Sequence, residues 1–192
     1  MSKDIEFKTH DNHPMHGRLF LPETKAPPRA IVVSVQTAEG ATIDMKRPLG
    51  KGKTFNYFDL YRDKLTAMNI GHFSYEGRGI EMGTEPPRYE KIDWEVYNTS
   101  TLDNKVKDVI SAIETLRQQD GLANTPIYLL GASEGTLIAA EAASRRPEEV
   151  KGLVLYGVLV TNLRETFRYI VCGGDFLKYR KMDGDGDNAI SP

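Results

Sequence analysis

Residues 126–143 constrain this chain more than any other stretch, because a five-residue turn separates an apolar run from an alanine-rich one. The turn reads Gly-Ala-Ser-Glu-Gly over residues 131–135. A sharp turn from a strand into a helix brings the two backbones together, so the positions two before and two after the serine must be small. Gly131 and Gly135 meet this need, and the pattern predicts a strand that ends by presenting Ser133. An ordinary turn with an incidental serine is the alternative.

Apolar runs alternate with segments of helical spacing along most of the chain. Strands of this kind, alternating with helices, predict a three-layer α/β/α sandwich around a mostly parallel sheet. The first two strands are predicted to form a hairpin. Residues 36–53 and 80–98 are predicted to be mainly loops, and the helical spacing of the first predicted helix begins at Phe55. The predicted strands are 4–9, 15–21, 30–35, 70–75, 126–130 and 150–156, and the predicted helices are 55–68, 100–116 and 136–143.

Charge and cysteine content exclude several classes of protein. The 25 Lys and Arg residues balance 27 Asp and Glu residues without a basic block, which argues against nucleic acid as a partner. No apolar run approaches the roughly 18 residues of a membrane span, so no membrane association is expected. The single cysteine, Cys172, excludes an internal disulfide. Together with the lack of a signal-peptide pattern at the start, it predicts a cytoplasmic location.

The order of these parts resembles the α/β-hydrolase superfamily over about residues 4–160, and in particular its serine esterases and acyl-peptidase-like hydrolases. The strongest likeness is the turn at residues 131–135. A second is Phe-Ser-Tyr-Glu-Gly-Arg-Gly at residues 73–79, which resembles the family's aspartate-x-arginine-glycine turn with Glu76 in place of the aspartate. That turn is structural in the family, so Arg78 is interpreted as a residue that braces the loop.

The resemblance implies a serine hydrolase that transfers the acyl group of a small-molecule ester or amide to water through a Ser-His-Asp type triad. Ser133 would be the nucleophile, and catalysis would need no cofactor. The oxyanion hole would combine the Glu134 N–H with an N–H from the loop after residue 35. Thr37 is the predicted second donor, whereas Gln36 can equally be a solvated loop residue.

The histidines depart from the family pattern. In the superfamily the chain order is Ser, then Asp or Glu, then His, but all four histidines here precede Ser133: His10, His13, His16 and His72. The first three are expected at the surface and His72 is expected to pack in the sheet. Asp175 is a candidate triad acid. We therefore expect the chain to form an incomplete α/β-hydrolase fold that ends before the triad histidine. Such a chain should be inactive alone, and it should self-associate through an exposed sheet edge.

The acidic tail resembles the first positions of an EF-hand calcium loop, with a solvated acidic tail as the alternative. Five residues would supply Ca²⁺ ligands: Asp183, Asp185, Asp187, the Ala189 carbonyl and Ser191. We accordingly expect residues 1–168 to form the N-terminal part of the hydrolase core and residues 169–192 to begin a cap or insertion. The alternative function is a non-catalytic hydrolase-like module with a calcium-binding or partner-binding tail.

Overall fold

The computed structural model describes residues 1–24, 26–37, 42–86, 88–158 and 163–171. The strands within these ranges are β1 (Ser2–Lys8), β2 (Pro14–Phe20), β3 (Ala30–Ser34), β4 (Lys46–Gly50), β5 (Lys53–Asn56), β6 (Ile70–Tyr75), β7 (Ile80–Met82), β8 (Glu90–Ile92), β9 (Ile127–Ala132) and β10 (Val150–Tyr156). The helices are α1 (Asp59–Ala67), α2 (Trp94–Tyr97), α3 (Leu102–Arg117), α4 (Glu134–Arg145) and α5 (Leu163–Val171).

Six strands form the main sheet, in the order β1-β2-β6-β3-β9-β10. The four strands from β6 to β10 run parallel, and the β1–β2 hairpin joins β6 in antiparallel fashion. All five residues of β3 are buried, as a strand covered on both faces requires. The predicted mostly parallel sheet and its opening hairpin are confirmed.

Helices cover both faces of this sheet. Helix α4 packs on β9 and β10 and contacts α3, whereas α1 packs on β6. The crossover from β3 through α1 to β6 moves across the sheet in the direction opposite to the crossovers through α3 and α4. Because such crossovers are right-handed, α1 lies on the face opposite to α3 and α4. The three-layer α/β/α architecture follows, and its main core lies between the sheet and the α3–α4 pair.

This topology creates a crevice between the neighbouring strands β3 and β9. The chain leaving β3 turns toward one face of the sheet, whereas the chain leaving β9 enters α4 on the other face. Parallel α/β sheets bind ligands at the carboxyl ends of strands that diverge in this way. The segments that follow β3 and β9 are therefore the place to look for a site.

Several local predictions were wrong. The segments predicted as loops contain the β4–β5 and β7–β8 hairpins and the short helix α2. The first crossover helix begins at Asp59, because Phe55 belongs to β5. Helix α3 begins at Leu102 rather than at residue 100, and it is capped by Thr101, whose hydroxyl accepts from the Asn104 N–H at 3.2 Å. For α1 and α3 the apolar pattern placed the helix and hydrogen bonding set its boundary, whereas the two hairpins and α2 were missed.

The chain divides into two compact units, Met1–Val158 and Leu159–Pro192, and α5 is the described part of the second. The predicted boundary at residue 168 stays a prediction. In the first unit β10 forms one edge of the sheet, where Leu153 and Val154 are 38% and 49% exposed. None of the helices in the described ranges is long and apolar enough to cross a membrane.

Candidate active site

Ser133 lies at the turn between β9 and α4 in a strained backbone conformation. Its φ of 49° and ψ of −123° fall outside the regions that a residue with a side chain prefers. Such a conformation costs about 1–3 kcal/mol and persists only where surrounding contacts enforce it. The Ser133 N–H donates to the Tyr156 carbonyl at 3.2 Å, and the Ser133 carbonyl accepts from the Thr136 N–H at 3.0 Å and hydroxyl at 2.6 Å. The predicted strained turn is confirmed, and its serine is exposed.

Close backbone contacts require the first glycine of the turn and favour the second. A Cβ atom at Gly131 would lie 2.5 Å from the Gly135 carbonyl oxygen, a distance that side chains do not tolerate. A Cβ atom at Gly135 would lie 3.3 Å from the Val35 carbonyl oxygen and 3.4 Å from the Thr37 methyl group. The first glycine therefore lets α4 begin directly over β9, and the second lets the segment after β3 approach the turn.

The two predicted oxyanion donors belong to the segments that approach each other here. Glu134 is the first residue of α4, so its N–H has no acceptor within the helix. Thr37 is half-buried and touches the Gly135 position, and among the described residues no backbone carbonyl accepts from its N–H. Their roles as oxyanion donors stay predictions. Gln36 is not the solvated residue considered above: it is 6% exposed, and its side-chain amide donates to the Tyr75 carbonyl.

A partly buried ion pair contacts the side chain of Glu134. The Lys105 ammonium group lies 2.9 Å from a Glu134 carboxylate oxygen, and the two side chains are only 16% and 17% exposed. Lys105 belongs to α3, so the pair joins that helix to the residue after Ser133. Sequence reasoning missed this contact. The signal in the sequence was a lysine close to the apolar face of α3.

His72 is enclosed within the sheet. It is fully buried between the rings of Phe20 and Phe58, with centroids 6.4 Å and 5.8 Å away. Its Nε2 atom lies 2.8 Å from the Ser34 hydroxyl, and its Nδ1 atom has no hydrogen-bond partner. Burial, aided by the positive charge of Arg62, lowers the pKa of His72 to about 4. The ring is therefore neutral near pH 7, and the prediction that it packs in the sheet is confirmed.

Arg78 braces the hairpin against α3, as its resemblance to the family's turn suggested. Its guanidinium group is 2% exposed and contacts both carboxylate oxygens of Asp108, at 2.5 Å and 3.1 Å. It also contacts both oxygens of Asp11 in the β1–β2 turn, at 2.6 Å and 3.1 Å. The hydrogen bonds from Arg78 and Thr9 hold the pKa of Asp11 well below its usual range. This network holds the β1–β2 turn against α3 and contributes no group to the turn at Ser133.

A cavity of about 220 Å³ opens beside Ser133. Its wall includes Val35, Phe58, Leu130 and Tyr156. Among the described residues no charged side chain lines it. The cavity can therefore hold a neutral group next to the serine hydroxyl.

The predicted calcium ligands and Asp175 lie outside the described residues, so their arrangement stays a prediction. Within the described ranges, no cluster of three or more His, Cys, Asp or Glu side chains is arranged to hold a metal ion.

Comparison with solved structures shows the fold of this chain. A hypothetical protein from Pseudomonas aeruginosa matches 96% of the chain with a TM-score of 0.59 and 14% identity. A thermostable carboxyl esterase from Bacillus coagulans matches 95% with a TM-score of 0.60 and 14% identity. A cold-adapted esterase from an Arctic intertidal metagenomic library matches 80% with a TM-score of 0.53 and 14% identity. The chain spans 55%, 52% and 59% of these three proteins, respectively.

No curated protein matches the sequence. A family model does match, over residues 50–168, which include the strained turn, both of its flanking elements and β10. That model describes the serine aminopeptidases of family S33. Its match covers more than half of the 192 residues, and the solved structures agree with it in fold. By its sequence and its α/β-hydrolase fold, this chain belongs to the S33 serine aminopeptidase family.

Proposed function

We propose that this chain carries the nucleophile and the oxyanion hole of a serine hydrolase that cleaves small-molecule esters or amides. The observation that carries the proposal is the conformation of Ser133, held at φ 49° by three hydrogen bonds and by the close backbone contact that Gly131 permits. Strain of this kind is concentrated at functional sites, because an ordinary turn would have relaxed it. The exposed hydroxyl at the carboxyl end of a central parallel strand is the feature that nucleophilic attack needs.

The chemistry follows from the groups around the turn. The Ser133 oxygen attacks the substrate carbonyl carbon while a base takes its proton, and the carbonyl oxygen becomes a tetrahedral oxyanion. Backbone N–H groups of Glu134 and Thr37 stabilise that oxygen, an interaction that strengthens as negative charge develops. The leaving group departs with a proton and leaves an acyl ester on Ser133. Water then attacks this ester and releases the acid.

The base must come from outside the described residues. His72 is fully enclosed and already bonded to Ser34, and His10, His13 and His16 belong to the hairpin region before β3. We infer that the triad histidine belongs to a part of the full-length protein beyond these 192 residues, and Asp175 stays a candidate for the acid. A serine hydroxyl without its base loses on the order of 10⁶ in kcat, so the 192-residue chain should be silent in an ester assay.

The test compares hydrolysis of p-nitrophenyl acetate by three proteins: the 192-residue chain, the full-length protein, and full-length Ser133→Ala. We expect turnover by the second alone, with Ser100→Ala as a control that removes a hydroxyl outside the Ser133 cavity. Full activity in Ser133→Ala would refute the proposal. If the 192-residue chain is active and its own Ser133→Ala variant is not, Ser133 is supported as the nucleophile, but the inferred position of the base is refuted.

A further inference from the structure

Three tyrosine hydroxyl groups meet beside the Ser133 cavity. The Tyr61 hydroxyl donates to the Tyr57 hydroxyl at 2.9 Å and lies 3.4 Å from that of Tyr156, and the Tyr57 and Tyr156 hydroxyls are 3.5 Å apart. We call Tyr57, Tyr61 and Tyr156 the phenol cluster. Tyr156 is the last residue of β10, and its carbonyl accepts from the Ser133 N–H, so the cluster is tied directly to the strained turn.

The cluster is only partly satisfied by its own hydrogen bonds. One of the three contacts is short, and the other two lie at the upper limit at which a hydroxyl pair is bonded. Each phenol can donate one hydrogen bond and accept others. The Tyr57 and Tyr156 hydroxyls therefore give up little hydrogen-bond energy when they turn toward a ligand. Both tyrosines line the cavity. Tyr61 donates to the Tyr57 oxygen. Hydrogen bonding to Tyr156 and Tyr61 lowers the pKa of Tyr57.

The rest of the cavity suits an apolar group of limited size. Apart from the tyrosines, its wall includes the side chains of Val35, Met45, Phe58 and Leu130. A dry apolar cavity of about 150 Å³ takes up benzene. The cavity beside Ser133, at about 220 Å³, has room for one six-membered ring and a few further atoms. A charged group would find no opposite charge there, because no described residue of the wall is ionic.

We propose that this cavity binds a neutral, single-ring aromatic acyl group that carries a hydroxyl substituent, with the substituent hydrogen-bonded to Tyr57 and Tyr156. Ring faces and aliphatic side chains bury the aromatic ring, and the phenol cluster selects the substituted ring over the bare one. The inference rests on the proposed function, since it assigns the cavity to the acyl side of a bond that Ser133 attacks. It adds a substrate class to that site.

The test measures binding, so it does not need an active enzyme. Benzamide, 3-hydroxybenzamide and 4-hydroxybenzamide are titrated into the isotope-labelled full-length protein, and dissociation constants are taken from amide NMR shifts. One hydrogen bond contributes a net factor of about 3 to 10 in affinity. We expect at least one hydroxybenzamide to bind about 3- to 10-fold more tightly than benzamide, with the largest shifts at residues of the cavity wall.

Single-atom variants decide whether the phenol cluster is responsible. Tyr57→Phe and Tyr156→Phe should each reduce the preference for the hydroxylated ring to less than about twofold. Tyr128→Phe is the matched control, because it removes a phenol hydroxyl from β9 outside the cavity, and the preference should persist. Equal binding of all three amides, a preference that survives in both cavity variants, or shifts confined to other surfaces would overturn the inference.

The result is separable from that of the proposed function. Ser133→Ala should keep the binding preference, because the serine hydroxyl contacts the reacting carbonyl rather than the ring. If the preference is found but full-length Ser133→Ala still hydrolyses p-nitrophenyl acetate, the cavity assignment stands as a binding site and the nucleophile assignment fails. If hydrolysis depends on Ser133 but no preference is found, the substrate class fails alone.

Discussion

The buried imidazole of His72 makes a quantitative prediction about acid stability. In the folded protein burial lowers its pKa to about 4, compared with 6.5 for the unperturbed side chain. The unfolded chain therefore binds the proton more readily between these two values, and the free energy of unfolding must fall as the pH falls through this window. The contribution is fully present above pH 6.5. A difference of about 2.5 pKa units corresponds to a loss of about 3 kcal/mol by pH 4.

His72→Gln removes this titration while leaving a side chain that can bond to the Ser34 hydroxyl. The variant should be less stable than the parent at pH 7.5, because a ring packed between Phe20 and Phe58 is lost. Between pH 6.5 and 4.5, however, the parent should lose about 2–3 kcal/mol more than the variant does. Urea unfolding followed by far-ultraviolet circular dichroism at closely spaced pH values gives both curves.

A control must separate His72 from the general acid response of the protein. His10→Gln removes an exposed histidine, so its stability curve should run parallel to that of the parent. The double variant His72→Phe with Ser34→Ala removes both hydrogen-bond partners and keeps an aromatic ring, and it should show the same flattened pH dependence as His72→Gln. Parallel curves for the parent and both His72 variants would refute the reasoning, because they would show that the folded state protonates this ring as easily as the unfolded chain does.

Three further predictions concern other parts of the chain. Ser133→Gly should raise the free energy of unfolding by about 1 kcal/mol by relieving the strained φ, whereas Ser133→Ala should leave it within about 0.5 kcal/mol, both measured by urea unfolding. Asp108→Asn should lower the free energy of unfolding by about 3 kcal/mol in the same assay, because Arg78 would lose a buried charged partner. Residues 183–191 should bind Ca²⁺ no more tightly than about 10⁻⁴ M by calorimetry, and Asp185→Asn should abolish the heat; an unchanged heat in that variant would contradict the loop.

The parts of the fold that sequence predicted are those where one local pattern decides the outcome. Strand β3 is an uninterrupted apolar run, and its five residues are all buried. The glycines around Ser133 predicted the strained turn, because sterics leave few other uses for that spacing. In both places the requirement is contained within a few consecutive residues.

The errors occurred where two patterns overlapped. Phe55 and Phe58 keep the spacing of a helix, but Phe55 pairs with Arg47 across the β4–β5 hairpin. The turn of that hairpin was visible as Gly50 and Gly52, both of which adopt positive φ. The surrounding lysines made the segment resemble a solvated loop. Cross-strand pairing, which involves a second segment, decided its structure.

The contacts around the candidate site could not be predicted because each joins residues that are distant in the chain. Arg78 and Asp108 are 30 residues apart, and Tyr57 and Tyr156 are 99 apart. A carboxylate beside the apolar face of α3 was a visible signal that a buried cation would meet it, but nothing local identified that cation as Arg78. The phenol cluster gave no local signal at all.

The strand order explains why these distant residues meet where they do. Because the chain leaves β3 and β9 toward opposite faces of the sheet, a crevice forms between the carboxyl ends of the two strands. Thr37 and Ser133 remain at its floor, and β10, the next strand beyond β9, places Tyr156 directly beside Ala132. Tyr57, two residues before α1, then brings its hydroxyl within 3.5 Å of the Tyr156 hydroxyl. The same topology that exposes the serine therefore also supplies the side chains that would recognise its substrate, so substitutions at Tyr57 should change ligand preference without disturbing the strained turn.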